Sequence, residues 1–270
     1  MSSRTQSAKG RLPIERKVCV RHEDGSLSEP ELISHYTNVQ AWVLLADPGA
    51  GKTDAFQALS QAEDGFYVSA RNFVVLELPP NCRPPIFIDG LDEVSANTVA
   101  GTTALDQIRG KLQKLGTPNF RISCREADWR GSADSAAVQH LVGEGHFLEL
   151  HLQPLGPKAT IALVMHWQGT DASAAAVFIR EAKKRDLEEL LDNPQTLRML
   201  VTATAKGWPT SKTQTYELAC AQLVQEHNEE WLANTRNTRL PDDEILQAAS
   251  YLCALMLLSG GASIARQPPG

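Results

Sequence analysis

The most informative segment of the chain reads Ala46-Asp47-Pro48-Gly49-Ala50-Gly51-Lys52-Thr53, followed by Asp54. It matches G-x-x-x-x-G-K-[ST] at every defined position except the first, where alanine replaces glycine. Small residues let backbone N–H groups turn inward around phosphate oxygens, and the helix that follows presents its positive N-terminus to them. Lys52 then reaches the β and γ phosphates, and the Thr53 hydroxyl binds magnesium. The segment predicts a nucleotide-binding loop, with a glycine-rich turn and an incidental lysine as the alternative.

Apolar strands and helices alternate on both sides of this loop. The run Ala41 to Ala46 is typical of a strand that is buried on both faces of a parallel sheet. Helical spacing appears at Asp54 to Glu63 and at Thr103 to Leu115. Further strand-like runs lie at Phe66 to Val68, Ile86 to Asp89, Phe120 to Cys124 and Phe147 to Leu152. The alternation predicts an α/β fold of the P-loop NTPase type, a parallel sheet flanked by helices.

Three regions are expected along the chain. Residues 1–30 are polar and basic, and they predict a flexible lead-in or an edge element with little chemistry. Residues 31–154 form the nucleotide-binding core, and residues 155–270 an all-α domain. The helical segments are Lys158 to Trp167, Ser173 to Leu191, Gln195 to Ala205, Thr213 to Trp231 and Asp242 to Leu258. The final GGASIARQPPG has no capping pattern, which suggests a cut within a longer protein or a tail.

Composition excludes several functional classes. The 270 residues are 42% hydrophobic and 21% charged, as in ordinary globular chains. The net charge of -6 argues against a general nucleic-acid or membrane-surface binder. The five cysteines lie far apart without metal-site spacing, so they are expected to be reduced thiols. With no signal-peptide pattern and no membrane-length apolar run, a cytoplasmic protein is expected.

A second motif, Pro85 to Glu93, runs an apolar strand into an acidic cluster. Carboxylates at the end of a buried strand are costly unless a cation or hydrogen bonds compensate them. Asp89 is therefore expected to bind magnesium, directly or through water. Asp92 or Glu93 is a candidate for orienting or deprotonating the attacking water. The alternative for these two residues is that they cap a helix that starts at Val94.

Two further segments supply candidate site residues. Arg125 follows the strand that ends in Ser123-Cys124, where it is placed to sense a γ-phosphate; a surface salt bridge to Glu126 or Asp128 is the alternative. Asp192-Asn193-Pro194 places an N-cap residue before proline at the first helical position. On these grounds alone, Pro194 predicts only a well-formed helix start.

Together these motifs resemble the NACHT branch of the STAND signalling ATPases, from roughly Leu32 to Leu258. ADPGAGKT corresponds to Walker A, PIFIDGLDE to Walker B and SCRE to sensor 1. The resemblance implies that Pro194, in DNPQTLRML, packs against the adenine.

The resemblance also implies a function. Members of this family use ATP or ADP with Mg²⁺ to switch between a closed monomer and an open oligomer, often in antiviral defence. We therefore expect slow ATP hydrolysis that controls a homo-oligomer or a partner protein, with no membrane and no direct nucleic-acid contact. The alternative is a phosphotransferase that uses the same loop to phosphorylate a small substrate.

Overall fold

The computed structural model describes residues 14–78, 84–94, 103–143, 145–205, 207–224 and 240–259. The strands are β1 (Lys17–Val20), β2 (Glu31–Leu32), β3 (Ala41–Ala46), β4 (Phe66–Ser69), β5 (Ile86–Asp89), β6 (Phe120–Arg125) and β7 (Phe147–Leu152). They form one sheet in the order β2-β1-β7-β3-β6-β5-β4. The five strands from β7 to β4 run parallel, which confirms the predicted fold class.

The helices of the described residues lie on both faces of the sheet and after it. They are α1 (Lys52–Ala62), α2 (Ala70–Val75), α3 (Ala104–Lys114), α4 (Ser132–Val142), α5 (Pro157–Gln168), α6 (Ala172–Lys184), α7 (Pro194–Ala203), α8 (Lys212–Leu223) and α9 (Asp242–Ser259). Helices α2 and α4 are absent from the sequence prediction. Neither shows a long apolar repeat, so nothing in the sequence separates them from loops.

Strand β3 divides the core into two layers. Ala41, Val43 and Leu45 pack into the cluster formed with α2, α3 and α4. The alternate residues Trp42 and Leu44 pack into a second cluster with α1 on the opposite face. All of these side chains are almost fully buried. A strand that is apolar on both faces therefore lies at the centre of the sheet, as its sequence predicts.

The sheet extends further toward the N-terminus than the expected boundary at residue 31. Strand β1 pairs antiparallel with β7, and β2 pairs antiparallel with β1. Val18 and Cys19 are buried in this edge. Of the two alternatives predicted for this region, residues 17–20 thus follow the edge element, because their apolar side chains fill a position beside β7.

A helical bundle follows the sheet. Its core contains Leu163 of α5, Phe178 of α6 and Leu197 of α7. The predicted helix from Ser173 to Leu191 is instead divided: α6 ends at Lys184 and a short 3-10 turn follows. The break occurs because Asp186 adopts a left-handed φ of 56°, which an α-helix cannot contain.

Helices α8 and α9 close the described chain. The predicted segment Thr213 to Trp231 corresponds to α8, and its part beyond residue 224 lies outside the described residues. Within α9 no residue is buried, and Leu257 and Leu258 are 84% and 88% exposed. Among the described helices, none combines the length and apolarity that crossing a membrane requires.

Glu149 of β7 connects the sheet to the segment that follows β6. Its Oε1 accepts hydrogen bonds from Trp129 Nε1, at 3.2 Å, and from Ser135 Oγ. Burial alone would raise the pKa of Glu149, but the adjacent His151 ring, the hydrogen bonds from Ser135 and Trp129, and the nearby Arg21 guanidinium outweigh it and lower the pKa to about 2. The ionised carboxylate therefore stabilises the folded chain.

We predict that Glu149→Gln lowers the free energy of unfolding at pH 7. Lowering the pKa from 4.5 to about 2 corresponds to about 3 kcal/mol. This contribution is present above pH 4.5 and is lost as the pH falls toward 2, so parent and variant should converge there. Urea unfolding across this pH range is the measurement, with exposed Glu188→Gln as the control. A difference that stays constant with pH would contradict the role of the charge.

Candidate functional site

The loop and the acidic cluster meet at one edge of the sheet. Strands β3, β6 and β5 are parallel neighbours, so their C-terminal ends lie side by side. Ala46 at the end of β3 pairs with Arg125 at the end of β6, and Asp89 ends β5 on the far side of β6. Ligands of open α/β sheets bind outside these strand ends. Residues from three separate motifs are thus brought together.

Two glycines shape the loop. Gly49 has φ 75° and Gly51 has φ 88°, left-handed values that favour glycine. A Cβ on Gly49 would lie 2.1 Å from Gln195 Oε1, and one on Gly51 would lie 3.1 Å from Arg16 Nη1. Ala46 is instead the last residue of β3. A strand position accepts alanine, so the departure from the sequence pattern leaves the turn unaffected.

Lys52 begins α1 and folds back over the start of the loop. Its Nζ donates to the backbone carbonyls of Ala46, at 2.8 Å, and Asp47, at 3.1 Å. Burial lowers the pKa of Lys52, and the Asp92 carboxylate opposes this change. Because both hydrogen-bond partners are neutral, the ammonium charge is available to an anion in the loop.

Asp89 is held by two hydroxyl groups. Its Oδ1 accepts a hydrogen bond from Ser123 Oγ, and its Oδ2 accepts one from Tyr67 Oη at 2.8 Å. Ser123 Oγ in turn accepts from the Gly90 N–H at 2.8 Å. Burial raises the pKa of Tyr67, as does the adjacent Asp89 carboxylate, so the phenol remains a donor. Neutral donors therefore orient the buried Asp89 carboxylate.

Asp92 and Arg125 form an ion pair beside the loop. Arg125 Nε lies 2.8 Å from Asp92 Oδ2, and the Arg125 N–H donates to Asp92 Oδ1 at 3.3 Å. Only 8% of the Asp92 side chain is exposed. The salt bridge expected as the alternative for Arg125 thus has a different acceptor, because Glu126 lies beside Arg21 and His151 instead.

Glu93 differs from Asp92 in its surroundings. It is exposed, and in the described residues it has no ion-pair partner. Leu91–Glu93 forms a 3-10 turn that starts from Gly90 in a left-handed conformation, φ 77°. A helix beyond Val94, the alternative reading of the acidic pair, falls at residues 95–102, outside the described residues.

The start of α7 lies directly on the loop. Asn193 caps the helix, its Oδ1 accepting from the Gln195 N–H at 2.9 Å, and buried Pro194 occupies the first position. This confirms the predicted helix start. Asn193 Nδ2 also donates to the Pro48 carbonyl at 3.1 Å. That Pro194 packs against an adenine stays a prediction.

Arg16 is a site residue that the sequence does not indicate. Its guanidinium donates to the Ala50 carbonyl at 2.5 Å and to the Gln153 carbonyl at 2.7 Å. The residue is 7% exposed, and burial lowers its pKa to about 10, a change that Asp54 opposes. A lone arginine in a basic, polar segment carries no local signal for this role.

Thr53 and Asp89 suit the expected magnesium ion. Mg²⁺ prefers oxygen ligands, keeps several waters, and is commonly held by one or two protein groups together with substrate phosphates. Thr53 is exposed in the first turn of α1, and Asp54 beside it faces the charges of Arg198 and Arg16. Within the described part of the chain, no group of three or more His, Cys, Asp or Glu could hold a metal alone. Thr53 and Asp89 offer one hydroxyl and one carboxylate, the kind of oxygen ligands that Mg²⁺ takes beside substrate phosphates.

The sequence matches no protein-family model, and no curated protein matches it. Among solved structures, the chain is similar to domain III of the replication initiation protein DnaA from Thermotoga maritima. The two share 14% identity with a TM-score of 0.42, and the match covers 68% of this chain and 85% of that one. The function proposed below is therefore inferred from the residues of the site.

We predict that Ser123→Ala destabilises the chain by about 1–3 kcal/mol, because it removes a buried donor from Asp89 and a buried acceptor from the Gly90 N–H. Chemical denaturation of parent and variant measures the change. Ser60→Ala is the matched control, since the hydroxyl of buried Ser60 donates to the Gln57 carbonyl of its own helix. If both substitutions lowered the free energy of unfolding equally, the hydrogen bonds of Ser123 to Asp89 and Gly90 would add no stability.

Proposed function

We propose that the chain binds ATP or ADP with Mg²⁺ at the loop from Ala46 to Thr53 and hydrolyses ATP slowly as a regulatory switch. One observation carries this proposal. Two charged side chains at the same edge of the sheet form hydrogen bonds to neutral groups. Lys52 bonds to backbone carbonyls, and Asp89 accepts from hydroxyl groups. The first suits phosphate, and the second suits a divalent cation.

Each site residue then has a distinct role. The loop N–H groups and Lys52 bind the phosphate chain, while Thr53 and Asp89 hold the magnesium ion. The ion supplies charge neutralisation to the phosphates when it is bound. Glu93 is the stronger candidate for orienting or deprotonating the attacking water, because Asp92 is already paired with Arg125. Asp92 positions Arg125, whose guanidinium is half exposed at the strand end and suits a developing negative charge.

The proposed switch links nucleotide state to assembly, as in the NACHT-type STAND ATPases that the motifs resemble. The contact between α7 and the loop supports it, because a change at the phosphates can reach the helical bundle directly. The partner would be a second copy of the chain or another protein, in a signalling role of the antiviral type. A phosphotransferase would pass phosphate to a small substrate instead of water.

We predict that Lys52→Ala weakens ATP and ADP binding by about 10- to 100-fold without unfolding the chain. The substitution removes a charge-assisted contact worth about 1.5–3 kcal/mol, and the Lys52 ammonium donates to the backbone carbonyls of Ala46 and Asp47, which remain in Lys52→Ala. Titration calorimetry with Mg²⁺ present measures affinity, and Lys114→Ala, at the exposed end of α3, is the control. Unchanged affinity in Lys52→Ala would remove the loop from the proposed site.

A second prediction separates the two acidic candidates. Glu93→Gln should keep nucleotide affinity and stability but slow phosphate release at least about tenfold. Asp92→Asn should lower stability, because it leaves Arg125 without its partner. Phosphate release measured beside thermal melting distinguishes them. If Glu93→Gln hydrolyses ATP at the full rate and Asp92→Asn is inactive, Asp92 is the residue that activates the attacking water.

A further inference from the structure

Successive carbonyl groups of the phosphate-binding loop accept hydrogen bonds from outside the loop. The Pro48 carbonyl accepts from Asn193 Nδ2 at 3.1 Å, and the Gly49 carbonyl from the Gln195 N–H at 3.3 Å. The Ala50 carbonyl accepts from the Arg16 guanidinium at 2.5 Å. These external donors, Asn193, the Gln195 amide and Arg16, are called the loop frame below. They come from two regions that are far from the loop in sequence.

The loop frame fixes where the loop amides point. In a planar trans peptide the C=O and the following N–H point in opposite directions, and the described residues contain no cis peptide. Holding these carbonyls outward directs the N–H groups of Gly49, Ala50 and Gly51 to the other side. The Ala50 N–H closes a turn on the Asp47 carbonyl at 3.3 Å. The Gly49 and Gly51 amides are therefore the pair that the loop frame presents to phosphate.

Arg16 also connects the loop to the junction between the sheet and the helical bundle. Its second hydrogen bond reaches the Gln153 carbonyl, just after β7. Two residues later, the Leu155 N–H donates to the Asp192 carbonyl at 2.7 Å, directly before Asn193. Within the described residues Arg16 has no carboxylate within ion-pair distance. A buried guanidinium bound only to carbonyls gives the loop a fixed positive charge.

Close packing also connects the first turn of α7 to the loop. The Gln195 side chain lies so near Gly49 that a Cβ there would be 2.7 Å from Gln195 Cβ. Pro194 Cγ lies 3.5 Å from the corresponding position on Gly51. The first turn of α7 therefore packs closely against the loop, and at Gly49 it leaves no room for a side chain.

We propose that the loop frame positions the phosphate-binding loop and couples phosphate binding to the placement of α7, with Asn193 and Arg16 as positioning residues. The proposal rests on the nucleotide-binding function above. Coupling is reciprocal. Phosphate that engages the loop must stabilise the α7 contact, and loss of that contact must weaken phosphate binding by the same factor.

Two substitutions remove donors while keeping local structure. Asn193→Ser retains a good N-cap for α7 but cannot reach the Pro48 carbonyl. Arg16→Lys keeps the charge, but one ammonium cannot replace the fork that spans the Ala50 and Gln153 carbonyls. The matched controls are Asp171→Ser, the N-cap of α6 in the same bundle, and the exposed Arg180→Lys.

The measurement is the affinity for inorganic triphosphate with Mg²⁺, a probe that has no base or ribose, in the full chain. We expect each frame variant to bind it about tenfold more weakly, while the controls keep the parent affinity. Hydrogen exchange supplies a readout that a merely structural role would not move. Triphosphate should protect the α7 amides in the parent and protect them less in Asn193→Ser.

The outcomes separate the two proposals. A parent that binds neither ATP nor triphosphate overturns the proposed function and the loop frame with it. A parent that binds triphosphate, with Asn193→Ser showing unchanged affinity and unchanged α7 protection, overturns the loop frame alone. If Arg16→Lys does not fold, Asn193→Ser decides by itself, and Asn193→Thr repeats the test with a second uncharged N-cap residue that lacks the Nδ2 donor.

Discussion

The central constraint on this structure is the burial of β3 on both faces and along both edges. Its side chains alternate between two apolar clusters, and its backbone pairs in parallel with β6 and β7. A strand held in this way has one possible register, since a slip by one residue would exchange its two faces. The register sets Ala46 opposite Arg125, and it therefore fixes where the loop begins relative to the ends of β5 and β6.

Sequence patterns predict those parts of the fold that depend on local order. Strands β3 to β7, and helices α1, α3, α5 and α7, follow from apolar runs and periodic spacing, and the structure confirms them. Helix breaks and strands near the sheet edge are harder to predict from the sequence. The helix expected up to Leu191 ends at Lys184 because of the backbone conformation of Asp186, and β1 is completed as a strand by its pairing with β7 and β2. Such outcomes depend on tertiary contacts.

The candidate site shows the same difference between local motifs and long-range contacts. Lys52 and Asp89 are identifiable from short motifs whose spacing carries the chemistry. The groups that orient them are not, because Tyr67 and Ser123 reach Asp89 across the sheet, and Arg16 reaches the loop from another region of the chain. A hydroxyl or guanidinium that acts at such separations leaves no local trace in the sequence.

The hydrogen-bond partners of the charged side chains indicate which ligand the site suits. Asp92 and Arg125 satisfy each other, so they add little net field. Lys52 and Arg16 bond to neutral carbonyls, and Asp89 to neutral hydroxyls. Carboxylates lie near both cations, but within the described residues none of these three groups forms a direct ion pair, and burying a charge without one is costly to folding. Cations around a loop of inward amides, with a carboxylate at the neighbouring strand end, are instead suited to a ligand that carries both phosphate and a divalent metal.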